Sequence, residues 1–441
     1  MAVGRILSLM GRRGYWSDAL ITRGPTGQWD GACDPFVAVD ATGRVYATYL
    51  ANTRSGWGTD IYSQTSVDSG RTWSEPVAVC PSTEIDKPVS ACDISPESPY
   101  RNNFYVIYCI VWGGTFVARS TDGGATFVTP TRASPLPGGE GYEDTGLPYV
   151  CIGPSGEVNA IWIDSVLGYR IVFRRSTDGG ASFPDTLRTV ASFSYRSQTN
   201  PCGRFRIPTC PVLACDISGG VHRGWLYACW QYPATDGTDP DIFFTRSTNN
   251  GTTWSVPMVI SDDSTHRWQW WPSMAVDPVS GYIGVSWLDR REDATGCRYA
   301  CWGTISTDGG TTWAANVRIS YQLSDPTNST FLGDYIGTTI SSHGFYSTWP
   351  DLRNDAGDVY GAWWNTDPLT LPLRVTAYCV GNDIRLTWHG TSAHHYRIYS
   401  APTADGPFDT LEGSTAGTTF NDIGAANDSV KFYIVRASTE P

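Results

Sequence analysis

Methionine is scarce in this chain, with 4 in 441 residues, and charged side chains make up only 17% of it. Low charge beside 41% hydrophobic residues argues for a packed core and against disorder. There is no Lys/Arg-rich run, and the formal net charge is −12, so nucleic acid is not expected as a partner. No stretch nears the roughly eighteen apolar residues of a membrane-spanning helix, so no span is expected. The basic start MAVGRILSLMGRRGYW carries its apolar run only from Ile6 to Met10, too short for a signal-peptide core. The six histidines do not fall near the cysteines at ligand spacing, which leaves no metal site to assign.

What the chain has instead is 19 Trp, 23 Tyr and 46 Gly. Aromatics with frequent glycine turns predict many short strands rather than helices. One turn recurs five times: SVDSGRTW (66–73), STDGGATF (120–127), STDGGASF (176–183), STNNGTTW (247–254) and STDGGTTW (306–313). Asp or Asn caps backbone amides, Gly supplies positive φ, and the closing aromatic packs inward, so each octamer reads as a β-hairpin turn.

Ahead of each octamer stands a proline followed by an apolar strand: DPFVAVD (34–40), KPVSACD (87–93), LPYVCIG (147–153), CPVLACD (210–216) and WPSMAVD (271–277). Cys92, Cys151 and Cys215 fall on or beside positions held by Val39 and Val276, so they read as small core residues rather than disulfides. Cys202 with Cys210, and Cys297 with Cys301, lie in loops and stay open as pairs. Six second-strand segments follow, from VYATYLA (45–51) to FYSTWPD (345–351). The unit is four antiparallel strands in about sixty residues, which is a propeller blade.

The expected fold is therefore all-β, a six-bladed β-propeller over 1–370. The sixth blade lacks its turn and fourth strand, and WSDALIT (16–22) matches the fourth-strand segments WSEPVAV (73–79) and WSVPMVI (254–260). The N-terminal strand is expected to complete that blade and close the ring. Residues 371–441 change to closely spaced alternating strands and predict a small β-sandwich of fibronectin type III style, with Trp388 and Tyr399 in its core.

Alternation of strands puts the octamers on one face. Crossings between blades and second-to-third-strand loops gather on the other, where function-bearing loops are expected. That face carries Asp86-Lys87, EGYED (140–144), GRFRIP (203–208), TDGTDPD (235–241), HRWQWW (266–271), DRRED (289–293), FLGDY (331–335) and DLRND (351–355). Two blades share Trp-x-Asp-x-Arg: Trp287/Asp289/Arg291 and Trp349/Asp351/Arg353. Such a motif either pins a loop by a local ion pair or sends an arginine toward an anion shared with Arg206. Trp268 and Trp270 are candidate sugar-stacking rings, and Trp271 reads as packing.

The octamer S-x-D-x-G-x-T-W resembles the Asp box of the sialidase (neuraminidase) superfamily, and FRIP (205–208) resembles that family's arginine motif, here opening the fourth blade rather than the first. The resemblance implies an exo-acting glycoside hydrolase that binds a sialic acid carboxylate through Arg206, Arg291 and Arg353. Asp236 is the implied general acid/base, with Asp239 second. A tyrosine nucleophile partnered by a glutamate is implied too, and Tyr335 with Glu143 or Glu140 is the candidate pair. A neutral tyrosine attacks an anionic centre without the repulsion a carboxylate would meet. No cofactor or metal is expected and no loop indicates Ca²⁺. The partner is a glycan, the chain is taken as a monomer, and the resemblance implies an extracellular or periplasmic location. A non-catalytic glycan-binding propeller and another carbohydrate-active enzyme on the same fold remain alternatives.

Overall fold

The computed structural model describes residues 5–10, 15–20, 29–53, 59–80, 85–110, 113–135, 145–164, 169–192, 205, 207–233, 239–293, 296–327, 329, 331–341, 344–353, 358–364, 376–380, 382–388, 395–402, 410–425 and 431–438. Among them there are strands and turns but no α-helix, and no helix is long and apolar enough to cross a membrane. The chain divides into two compact units, Met1–Thr339 with Ser347–Gly361, and Ile340–Tyr346 with Ala362–Pro441.

Five four-stranded sheets follow one another, each with its strands in chain order. The first is Trp29–Val39, Val45–Thr53, Thr59–Ser66 and Val77–Cys80, and the second Ile85–Cys92, Phe104–Ile110, Gly114–Ser120 and Val128–Arg132. The third is Thr145–Ile152, Val158–Asp164, Arg170–Ser176 and Arg188–Ser192. The fourth is Val212–Cys215, Leu226–Pro233, Pro240–Ser247 and Met258–Val259. Gln269–Val276, Ile283–Asp289, Ala300–Ser306 and Val317–Arg318 make the fifth. A sixth sheet has three strands, Gly337–Ser341, Gly344–Asp351 and Asp358–Trp364.

The first strands of sheets one to five lie side by side in sequence order. Apolar clusters fill the space between neighbours: Tyr46, Leu50 and Ile61 with Phe104 and Val106, then Tyr105 and Ile107 with Val158 and Trp162. Ile161 and Phe173 pack likewise with Leu226 and Trp230, and Tyr227 and Phe244 with Val285 and Trp287. Sheets two to four are thus buried on both faces, which is why their strands read as apolar runs rather than as alternation.

Proline sets a repeated irregularity in the first strands. Asp34, Lys87, Leu147 and Trp271, each just before a proline, have φ of 49°, 56°, 56° and 50°. The ladder shifts register there, between Cys33 and Phe36, Asp86 and Val89, Gly146 and Tyr149, and Trp270 and Ser273. A proline has no N–H to give the ladder, so the strand bulges and re-aims the residue before it.

The octamers fold alike. In the first, Ser66 Oγ donates to Asp68 Oδ1 (2.8 Å) and accepts from Gly70 N (2.8 Å), while Asp68 accepts from Thr72 N (2.9 Å) and Oγ1 (2.7 Å). The same bonds recur at Ser120/Asp122/Thr126 and Ser306/Asp308/Thr312, and at Ser247/Asn249/Thr253 the last is reversed, Asn249 Nδ2 donating to Thr253 Oγ1 (2.8 Å). The Thr72 amide and hydroxyl hold the Asp68 carboxyl down to about 2, and those of Thr126 do the same for Asp122. A depressed carboxylate contributes stability above its unfolded pKa of about 3.9, and loses it as pH falls through the folded value. Folding stability is therefore expected to drop between pH 4 and 2. Asp122→Asn should flatten that drop in acid-unfolding curves followed by tryptophan fluorescence.

The N-terminal strand departs from expectation. Tyr15–Leu20 pairs with Arg5–Met10, from Arg5 opposite Leu20 to Met10 opposite Tyr15, as a separate two-stranded sheet. No described pairing joins it to the sixth sheet, and no described sheet closes on itself. Only four residues separate the two strands, so this local partner is reached at far lower loop-closure cost than one over three hundred residues away.

In the second unit, Thr376–Val380, Asp383–Thr387 and Thr419–Asp422 form one three-stranded sheet, and Thr410–Thr415, His395–Ala401 and Phe432–Ser438 another. Leu386, Trp388, Tyr396, Ile398 and Val435 make its core. The expected core residue Tyr399 is only half-buried, because period-two alternation turns Tyr396, Ile398 and Ser400 inward instead.

Two expectations for the cysteines are corrected. Cys210 and Cys301 are free thiols, buried in the core, while Cys297 is disulfide-bonded. Neither Cys202–Cys210 nor Cys297–Cys301 is a pair. Cys92, Cys151 and Cys215 are free, as core cysteines should be.

Candidate functional site

The bulges aim Asp34 and Lys87 into one cluster. Lys87 Nζ lies 3.1 Å from Asp34 Oδ2, 2.6 Å from Asp334 Oδ2 and 4.0 Å from Asp86 Oδ1. Tyr335 Oη donates to Asp34 Oδ2 (3.2 Å), and Lys87 Nζ stands 5.1 Å from the centre of the Tyr335 ring. Cys210, the residue before the proline in the fourth sheet, turns its Sγ to the Asp334 carbonyl at 3.7 Å. Sheets one, two and four thus meet the crossing that leads into sheet six.

Burial is graded across the cluster. The Asp334 and Lys87 side chains are 1% and 8% exposed, Asp34 16% and Asp86 39%. Burial alone would push the Lys87 ammonium down, but the carboxylates of Asp34, Asp86 and Asp334 outweigh it and hold it well above an ordinary lysine. Burial, and then the negative charge of Asp34, drives the Tyr335 phenol well above its usual value. Tyr335 is therefore a neutral phenol, and Asp34 is the group positioned to receive its proton. A neutral hydroxyl, a carboxylate acceptor and a fixed ammonium can support proton transfer or nucleophilic attack.

The Trp-x-Asp-x-Arg pattern resolves into local pins. Trp287 Nε1 donates to Asp289 Oδ2 (2.9 Å), and the same carboxylate takes Arg291 Nε (2.9 Å) and the Arg291 amide (2.7 Å). Arg291 also pairs with Asp262 (2.6 Å), donates to Asn316 (3.1 Å) and lies over the Trp302 ring at 4.2 Å. Trp349, Asp351 and Arg353 repeat the arrangement, Trp349 Nε1 at 3.0 Å and Arg353 Nη2 at 2.5 Å from Asp351 Oδ2. Arg353 is sandwiched between the Tyr321 and Tyr360 rings, 4.4 and 4.2 Å from their centres. With side chains 11% and 3% exposed, both guanidiniums pair with aspartates of their own sheet or its neighbouring loop, Arg353 through Nε and Nη2.

Trp270 is not a stacking surface. It is fully buried, edge-on to Tyr299 at 5.5 Å, because the bulge before Pro272 turns both Trp270 and Trp271 into the core. Trp268 is half-buried, and its carbonyl accepts from the Arg290 amide. Asp239 is buried 3.5 Å from His266 Nδ1, and Asp241 accepts from Ser261 Oγ (2.9 Å) as a structural carboxylate. Arg206, Asp236, Glu140 and Glu143 lie outside the described residues, although Phe205 and Ile207 beside Arg206 are buried. No group of three or more His, Cys, Asp or Glu among the described residues is arranged to hold a metal ion.

Sequence reading singled out Tyr335 but passed over Asp34, Lys87 and Asp334 as site residues. A signal existed: at the position before the repeat's proline, where other sheets carry Leu147, Cys210 and Trp271, two sheets carry opposite charges.

No protein-family model matches the chain, and none of the curated proteins matches it in sequence. Among solved structures, the alpha-L-arabinanase of Penicillium chrysogenum, complexed with arabinobiose, is similar at 13% identity. The match covers 78% of this chain and 96% of that one, with a TM-score of 0.52. The fold is a β-propeller. An alpha-L-arabinofuranosidase of Fusarium graminearum aligns at 13% identity over 78% of this chain and 95% of its own, with a TM-score of 0.47. A Hadza microbial sialidase aligns at 15% identity and a TM-score of 0.45, over 74% of this chain. The propeller chain spans 64% of that sialidase's length.

Proposed function

We propose that this chain is a carbohydrate-active β-propeller of glycoside hydrolase type, working where Asp34, Lys87 and Tyr335 meet. The observation that carries the reading is the 3.2 Å hydrogen bond from Tyr335 Oη to Asp34 beside a buried lysine. It supplies a neutral nucleophile and, in Asp34 of the first sheet, a proton acceptor at one point. Contacts from Asp334 and Tyr335 back to Lys87 and Asp34 also support a ring of six blades, closed by side chains instead of a shared sheet. In this reading the propeller occupies 1–370, a fibronectin type III-like sandwich occupies 371–441, and the protein works as a monomer outside the cytoplasm.

The form that the sialidase resemblance implies is release of terminal sialic acid or a related acidic sugar. It requires Arg206, Arg291 and Arg353 to converge on one carboxylate, Asp236 to protonate the leaving oxygen and Glu143 to assist Tyr335, with Trp268 at the rim. The pairing of Arg291 with Asp289, and of Arg353 with Asp351, favours a second reading, a propeller that binds glycans without cleaving them.

A panel of fluorogenic glycosides, sialoside included, separates these readings. Hydrolysis is expected, with Tyr335→Phe lowering kcat at least about a hundredfold while glycan binding persists. Binding without turnover of any glycoside would establish the second reading. Turnover untouched by Tyr335→Phe would move the chemistry elsewhere.

A further inference from the structure

One arginine of the fifth sheet has no ion pair among the described residues. The stretch DRRED (289–293) holds three carboxylates, and each pairs with a cation other than Arg290. Asp289 pairs with Arg291 (2.8 Å), Glu292 with Arg318 (2.5 Å) and Asp293 with Arg298 (3.2 Å). Arg290 is nonetheless only 6% exposed. Its Nη2 donates to the Gly296 carbonyl, while its Nε is buried without a hydrogen-bond partner. A buried charge without a counter-charge is destabilising.

A second cation adds to that strain. The Arg290 amide donates to the Trp268 carbonyl (3.1 Å), which sets Arg290 beside the Arg267–Trp268 segment of the crossing into sheet five. Burial, then the like charge of Arg267, pulls the Arg290 guanidinium below an ordinary arginine, and Asp293 opposes this only as the weakest of the three influences. An arginine still keeps its proton at neutral pH. A planar guanidinium, held at one end by Gly296 and with a donor unused, is suited to an oxyanion. We infer that Arg290, with Arg267 beside it, binds an oxyanion, the carboxylate or sulfate group of a ligand. The site is separate from Arg291 and Arg353 and does not depend on the catalytic reading of Asp34, Lys87 and Tyr335.

The test uses the full chain at constant ionic strength. Sodium sulfate, sodium glucuronate and glucose 6-sulfate are the probes, with sodium chloride and glucose as controls. At least one probe should bind saturably by calorimetry and raise the melting temperature above the chloride control, while glucose does neither. Binding confined to inorganic sulfate would make the ligand a free anion; binding of glucuronate or glucose 6-sulfate would make it a group carried on a sugar. Arg290→Gln should weaken the binding at least about tenfold. It should also leave the ligand-free protein no less stable than the parent, because it removes a buried charge, whereas a purely structural arginine would be missed. If Arg290→Gln fails to fold, Arg267→Gln serves instead, with a several-fold loss of affinity expected as the anion loses one of its two cations. No probe binding better than chloride, or affinity unchanged by whichever variant folds, would overturn the inference.

Discussion

Replacing Lys87 by methionine is expected to destabilise the propeller by about 3–5 kcal/mol, the cost of removing one partner from a buried ion pair. The side chain is 8% exposed and its nearest acceptor, Asp334, is 1% exposed, so water cannot replace the lost cation. Asp34 loses the same ammonium, its ion-pair partner at 3.1 Å beside the Tyr335 phenol. Guanidinium unfolding curves measure the effect. The double variant Lys87→Met with Asp334→Asn should recover part of the loss, because it removes both charges instead of stranding one. A Lys87→Met midpoint within about 1 kcal/mol of the parent would show that the cluster is solvated and not held as described.

Gly251→Ala is expected to cost about 2–5 kcal/mol. Its φ is 80°, a region where an L-residue loses roughly 1–2 kcal/mol. A Cβ there would also stand 2.1 Å from Cε1 of Phe173, a ring 2% exposed and packed edge-on to Trp254 at 5.7 Å. A wedged core ring of this kind adds roughly 1–3 kcal/mol. Gly43→Ala is the control: its φ is 87°, yet nothing lies within 4 Å of the added carbon, so only the backbone part should appear. Equal losses at the two positions would refute the packing argument.

The Gly251 contact belongs to a series. In four of the five octamers the fifth residue is a glycine that sits against an aromatic of the sheet before it: Gly124 on Tyr46, Gly180 on Tyr105, Gly251 on Phe173 and Gly310 on Phe244. Arg44, Arg119 and Arg246 add a second tie, donating across to the carbonyls of Gly123, Gly179 and Gly309. The octamer therefore does more than turn a hairpin. It clasps one sheet to the next, which gives its glycines a packing role besides a conformational one.

Sequence alone determined the parts whose causes lie within a few residues. The octamer bonds join residues two to four positions apart, so five copies predict their own geometry. Trp-x-Asp-x-Arg is as local. Spacing of two on a strand puts indole, carboxylate and guanidinium on one side, and its structural reading was already open in the motif. Tertiary structure decided what depends on distant groups meeting. Lys87 reaches Asp334 across 247 residues and Tyr335 reaches Asp34 across 301, and no run of sequence records that these side chains share a point. Burial of Trp270 and the pairing of Tyr15–Leu20 with Arg5–Met10 were settled in the same way. Hydrogen-bond patterns in turns are short-range and travel with the sequence. The electrostatics of the cluster arise only when successive sheets bring their bulged first strands together.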